Sequence, residues 1–269
     1  MTKTVTVSVN EFFGWKNHPF SDLADQNDEL MVKHDQEVLR RAVELLKIGK
    51  SFAITGGSGL GKTTLTRAII KSLDPRNYQL LWVPYTGANR GGILRMLAEK
   101  TGIELTRKGL PPLAKLQKHI ATEQKDRGAP FPIIVVDDAQ HLENESLMDL
   151  CAMLISPEEN RTIMAIILVG DEMLDRTLRL TSQKAVSSRL ACVFKMKSLA
   201  QDDAKAMLNF RMEKAKAPGN LFDREAMELI TANCGGNRRE LMKLAFNLCM
   251  EAHRSEERRV GKECRSRWS

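Results

Sequence analysis

The chain has 269 residues, 42% of them hydrophobic and 28% charged, with a formal net charge of +7. These proportions exclude a disordered or fibrous chain, and the length admits one large domain or a domain with a small satellite. The longest apolar runs, near Ile133–Val136 and Ile163–Val169, fall well short of the roughly 20 residues of a membrane helix, so no segment is expected to span a bilayer.

The opening residues, MTKTVTVSVNEFFGW, lack the apolar core and cleavage site of a signal peptide, and a cytoplasmic location is expected. Residues 1–34 read as an N-terminal segment. Over 35–49, Val38, Leu39, Ala42, Leu45 and Leu46 recur at helical spacing and Gly49 is a natural stop. The strand SFAIT, 51–55, leads into a glycine-rich loop, and a helix covers 63–73. LLWVPY, 80–85, is a short apolar run bounded by turn residues, which predicts a buried strand. A helix near 91–101, a break at Gly109–Pro112 and a helix over 112–127 precede the strand PIIVVDD. A helix across 144–155, the strand IMAIILVG at 163–170 and the strand ACVFKM at 191–196 complete this part. Apolar strands without strict alternation, separated by helices, predict an α/β fold with a parallel five-stranded sheet covered on both faces.

After Leu199 only helices are predicted, over 201–215, 223–233 and 238–253. The change marks a small all-helical unit, with the α/β domain at 35–198 and the helical one at 199–253. The last sixteen residues, 254–269, carry six Arg or Lys against three Glu and have no hydrophobic period. They resemble adapter-derived read-through and are expected to be a non-native or disordered basic tail. Setting them aside leaves +4, which is weak evidence for a nucleic-acid partner. Cys151, Cys192, Cys234, Cys249 and Cys264 are widely separated and lack C-x-x-C spacing, as reduced core thiols would be.

The loop reads Gly56, Gly57, Ser58, Gly59, Leu60, Gly61, Lys62, Thr63, Thr64 and satisfies G-x-x-x-x-G-K-[ST] between a predicted strand and a predicted helix. Glycines there let backbone N–H groups converge on phosphate at the positive end of the helix. Lys62 is placed to neutralise ATP phosphate oxygens and Thr63 to coordinate Mg²⁺. Asp137 ends a buried strand where its carboxylate can reach the metal, and Asp138 is the candidate base for the attacking water. The alternative for this pair is capping of the following helix. Asp171, after IILVG, is either a γ-phosphate sensor or another helix cap. Arg189, in AVSSRL, is a candidate arginine finger toward a neighbouring subunit. Arg238 and Arg239 open the last helix after Gly235 and Gly236, where positive charge opposes the helix dipole unless an anion sits nearby.

These pieces in this order resemble the AAA+ ATPases, in particular the general secretion pathway protein A (ExeA-like) family and the transposition ATPases of the TniB and Mu B type. The marks are FFGWKNHPF at 12–20, GGSGLGKTTL, DDAQHL, ILVGDEML, SSRL and GGNRREL. The resemblance implies an AAA+ P-loop NTPase fold with a C-terminal helical lid, ATP and Mg²⁺ as ligands, and ATP hydrolysis. It also implies Lys62, Thr63 and Asp137 as phosphate and metal contacts, Asp138 as catalytic acid, Arg189 as trans-acting finger and Arg239 as the lid's sensor. That family usually has Glu where Asp138 stands, a neutral polar residue at Asp171 and a proline at Arg238.

Secretion-type members add a transmembrane helix and a wall-binding part after the ATPase, whereas mobile-element helpers are stand-alone. By that resemblance the chain is expected to form homo-oligomers, bind duplex DNA and direct a transposase or similar protein. The DNA loops would be 85–92 and 105–112, offering Asn89, Arg90, Thr106, Arg107 and Lys108. Two rivals are a secretion-assembly ATPase without its membrane part and a slow nucleotide-dependent switch acting on a protein partner.

Overall fold

A computed structural model describes residues 8–15, 17–21, 30–83, 90–105, 110–156, 158, 160–217 and 221–266. The chain opens with α1 (Val9–Phe13) and continues as α2 (Lys33–Lys47), β1 (Ser51–Thr55), α3 (Lys62–Lys71), β2 (Tyr78–Val83), α4 (Arg90–Thr101), α5 (Pro112–Arg127) and β3 (Phe131–Val136). A 3-10 turn, Ala139–His141, leads to α6 (Asn144–Ala152), β4 (Ile155–Ser156), β5 (Arg161–Thr162), β6 (Ala165–Gly170) and α7 (Glu172–Leu178). A second 3-10 turn, Thr181–Gln183, precedes α8 (Lys184–Ser187), β7 (Leu190–Lys195), α9 (Gln201–Lys214), α10 (Arg224–Asn233) and α11 (Arg238–Ser266). These elements fall into two units, one of Lys33–Lys197 and one joining Met1–Val32 to Ser198–Ser269.

In the α/β unit, five strands form one sheet in the order β2-β3-β6-β1-β7, and every neighbouring pair is parallel. This is the α/β P-loop NTPase fold. The central strands β1 and β6 are buried at every position, as strands covered on both faces by helices must be. β2 lies at an edge, and its Leu80 is exposed. It begins at Tyr78, two residues before the expected start, and Pro84 and Tyr85 lie outside the described residues. One core joins Leu81, Leu97, Leu116, Ile134, Leu147, Ile166, Leu168 and Leu174 from strands and helices alike. The buried positions of α2 are Asp35, Val38, Ala42, Val43 and Leu46, one helical stripe, while Leu39 and Leu45 sit at its half-buried border.

Two small departures from the sequence reading lie between α6 and β6. The helix stops at Ala152, and β4 and β5 pair as an antiparallel ribbon of two residues each. Ile163 and Met164, expected within the strand, are fully buried just before β6, and the Ile163 amide bonds the Leu154 carbonyl at 2.9 Å.

The helical unit packs α9, α10 and α11 around Met207, Leu208, Met212, Ile230, Leu241 and Ala245. Trp15 and Phe20 of the N-terminal stretch are buried in the same core, and Phe13 stacks on Trp15 at 4.4 Å. α11 runs on to Ser266, so the backbone is helical through most of 254–269. Its Glu and Arg content suits a helix, and Arg254 pairs with Glu251 at 3.0 Å. Among the described residues no helix is long and apolar enough to cross a membrane.

Candidate nucleotide site

Parallel pairing brings the C-terminal ends of all five strands to one edge. Thr55 pairs with Gly170 and with Lys195, Val136 with Val83 and Leu168. The glycine loop after β1, the aspartates after β3 and Asp171 after β6 therefore meet along one edge, where ligands bind in open α/β sheets.

The loop requires glycine where it leaves the strand. Gly56 has φ of 153°, and a Cβ there would stand 3.0 Å from the Met196 Cβ. Gly61 is the N-cap of α3 in a left-handed conformation with φ of 86°, and no side chain caps the helix. The first-turn N–H groups of α3 thus face the loop as donors suited to an anion. Gly57, Ser58, Gly59 and Leu60 form the half-buried to exposed rim, and Thr64 sits half-buried in the first turn of α3. The Lys62 Nζ donates to the carbonyls of Gly56 at 2.8 Å and Gly57 at 3.0 Å, so its ammonium is held over the loop.

The Thr63 hydroxyl donates to Asp137 Oδ2 at 3.1 Å, joining residues 74 apart in sequence. A hydroxyl and a carboxylate side by side are hard oxygen ligands, the donor set Mg²⁺ takes alongside waters and substrate phosphates. Among the described residues no group of three or more His, Cys, Asp or Glu is gathered to hold a metal without such help. Asp138 is exposed and left-handed, with φ of 52°. Its N–H donates to Asp137 Oδ1 at 3.1 Å, and its own Oδ1 accepts from Gln140 Nε2 at 3.2 Å. The N-cap of α6 is Glu143, so neither aspartate has the capping role weighed for that helix.

Asp171 is an N-cap: its Oδ1 accepts from the Met173 N–H at 2.8 Å. Its own N–H donates to Gln140 Oε1 at 3.2 Å. Gln140, which the sequence reading did not single out, therefore bridges the ends of β3 and β6. Its signal in the sequence was its place in DDAQHL, two residues after Asp138. Nearby, Asp175 bonds Lys195 at 3.0 Å and Arg179 at 3.1 Å. Burial pushes the Asp175 carboxyl up, yet these two cations together hold it below the usual carboxylate range.

Arg189 is exposed between α8 and β7, and its Nη1 donates to the Ala185 carbonyl at 2.9 Å, closing the C-terminal turn of α8. In the helical unit Arg238 is buried and Arg239 exposed at the start of α11. Asn237, another residue the sequence reading passed over, caps that helix: its Oδ1 accepts from the N–H groups of Arg239 at 3.0 Å and Glu240 at 3.2 Å. Asn89, Thr106, Arg107 and Lys108 lie outside the described residues, and so does the side chain of Arg90, the first residue of α4.

Residues 48–178 match the AAA domain family. The chain is similar to general secretion pathway protein A of Aeromonas hydrophila, 23% identical over 228 residues, covering 84% of this chain and 41% of that protein. It therefore spans less than half the length of that relative. Among solved structures it resembles the ORC2 protein of Aeropyrum pernix, in ADPNP and ADP complexes, with a TM-score of 0.68 at 18% identity, over 90% of this chain and 68% of the other. It also resembles the ORC1 protein of Aeropyrum pernix in complex with DNA, with a TM-score of 0.64 at 19% identity, over 88% and 63% of the two chains.

Proposed function

Starting from an AAA domain at residues 48–178, we propose that this chain binds and hydrolyses ATP within a homo-oligomer that engages duplex DNA to control a DNA-bound assembly such as a transposase. The observation that carries the ATPase part is the 3.1 Å contact of Thr63 with Asp137 beside the loop that ends in Lys62. Lys62 would turn from the loop carbonyls to the β- and γ-phosphate oxygens of the substrate. Thr63 and Asp137 would hold Mg²⁺, which when bound neutralises phosphate charge. Asp138, exposed beside them, would orient and polarise the attacking water. Arg239 and Asp171 are the residues put forward as nucleotide sensors, Asp171 by way of the helix it caps.

The DNA part is supported by the fold shared with the ORC1 protein solved with DNA and by the basic residues Arg90, at the start of α4, and Arg107 and Lys108, which follow α4 in the sequence. The similarity to general secretion pathway protein A favours a second reading, ATP-driven assembly of a secretion apparatus. A third, a slow nucleotide switch for a protein partner, shares the same site.

One set of assays on protein lacking residues 254–269 separates them. Steady-state Mg²⁺-dependent ATP turnover is expected, abolished by Lys62→Ala and reduced at least about a hundredfold by Asp138→Asn, which keeps nucleotide binding but removes a general base. Duplex binding, followed by anisotropy, is expected only with ATP, with little base preference and a steep fall with salt as counterions are released. Replacing Arg90, Arg107 and Lys108 by Ala should weaken it across unrelated sequences and flatten the salt slope. Wild-type protein without Lys62-dependent turnover would sink the ATPase reading. No duplex affinity at low salt with ATP would sink the DNA reading and leave the protein-partner ones.

A further inference from the structure

The geometry points to Gln140 as the residue that positions Asp138 for water activation. The inference rests on the ATPase reading and adds to it a residue that acts through Asp138.

Asp138 is short and exposed, and its side chain would otherwise sample several rotamers. Two bonds limit it. Its N–H is held by Asp137 Oδ1 at 3.1 Å, and its Oδ1 is held by the Gln140 amide nitrogen at 3.2 Å. That leaves Oδ2 to accept from a water. Gln140 is itself held at the other end, where its Oε1 accepts the Asp171 N–H at 3.2 Å. A side-chain amide with both ends bonded has a fixed orientation, so it can fix a carboxylate in turn.

The end of β6 is shaped to admit it. A Cβ on Gly170 would stand 2.8 Å from Gln140 Oε1 and 2.6 Å from Leu174 Cδ2, so glycine leaves the space that the amide and Leu174 fill. The result is a continuous line of bonds from Thr63 through Asp137, Asp138 and Gln140 to Asp171, across the ends of α3, β3 and β6.

The test compares Gln140→Leu and Gln140→Glu with wild type and Asp138→Asn in steady-state ATP turnover, kcat and KM for ATP being read separately. Gln140→Leu removes both bonds, and kcat is expected to fall about tenfold to a hundredfold, as misplacing a catalytic group does, with KM for ATP within about twofold because no nucleotide contact is lost. Gln140→Glu can still accept the Asp171 N–H but has no N–H to donate to Asp138, and a like fall in kcat with KM unchanged is expected, which a purely space-filling residue would not cause. If Gln140→Leu loses its cooperative unfolding transition, Gln140→Met, closer in length and shape, takes its place. A kcat within twofold of wild type for the leucine or methionine variant, or for Gln140→Glu, would overturn the assignment while wild-type turnover keeps the ATPase reading. Wild-type protein with no Lys62-dependent turnover would overturn both.

Discussion

Asp137 divides its two oxygens between partners: Oδ2 accepts from the Thr63 hydroxyl and Oδ1 from the Asp138 amide. A metal between Thr63 and Asp137 would take over the first of these contacts and leave the second, so Asp138 keeps its place when the metal binds. The hydroxyl should then matter to metal affinity more than to nucleotide affinity. Thr63→Val keeps the shape and removes the oxygen. A hydrogen bond or ligand contact to a charged group contributes about 1.5–3 kcal/mol, and about 1.4 kcal/mol is tenfold in affinity. The Mg²⁺ concentration for half-maximal turnover is accordingly expected to rise at least about tenfold at saturating ATP, read by titrating free Mg²⁺. An unchanged titration would remove Thr63 from the metal site. At this scale the glycine loop and the aspartate pair were legible as motifs. The use of Asp171 was less so, because a cap and a phosphate sensor need the same residue at the same strand end, and the 2.8 Å bond to the Met173 amide shows the cap.

α11 illustrates how local and non-local forces share an element. Leu241, Ala245, Cys249 and His253 recur every four residues and are all buried, and burial pushes the Cys249 thiol up to about 12. The start is set by chemistry within a few residues. Gly235 and Gly236 have φ of 57° and 69°, and a Cβ on Gly236 would stand 2.7 Å from the Leu199 carbonyl oxygen. Asn237 then caps the helix. Asn237→Ala should lower stability by about 1 kcal/mol, the usual cost of losing an N-cap, whereas Leu241→Ala should cost about 2–5 kcal/mol through the cavity it leaves. Urea unfolding of the two variants reads both, and equal losses would mean that the cap is linked to packing in a way the hydrogen bonds do not express. The spacing of buried residues predicted this helix. Its extension to Ser266 was not predicted, because 254–266 has no apolar period and its helical content comes from residue type alone.

For the whole molecule, the question is whether the site is completed by a second copy. Arg189 is exposed at the junction of α8 and β7, with its guanidinium on the Ala185 carbonyl. An exposed arginine whose one bond is to its own helix can be drawn to a phosphate at small cost. Arg189→Ala is expected to keep nucleotide affinity and lower turnover by about a thousandfold, as loss of an arginine finger does. Mixing it with Lys62→Ala protein should restore part of the activity, since a composite site then has one intact half from each chain. Mixed oligomers without recovery would make Arg189 a helix-closing residue only.

The sequence by itself determined the fold class and the chemistry on offer. Apolar strands between helices require a covered parallel sheet, and a glycine loop ending in Lys62 and Thr63 carries donors for phosphate wherever it is placed. Tertiary structure alone decided what depends on pairs distant in sequence. It set the order β2-β3-β6-β1-β7, which puts β6 between β3 and β1, and the 3.1 Å approach of Thr63 to Asp137. It set the packing of Trp15 and Phe20 in the helical core and the β4–β5 ribbon, too short for any periodicity to mark. It also set the bridge through Gln140, since an amide two residues past an aspartate has a role only when another strand end supplies the partner for its second half.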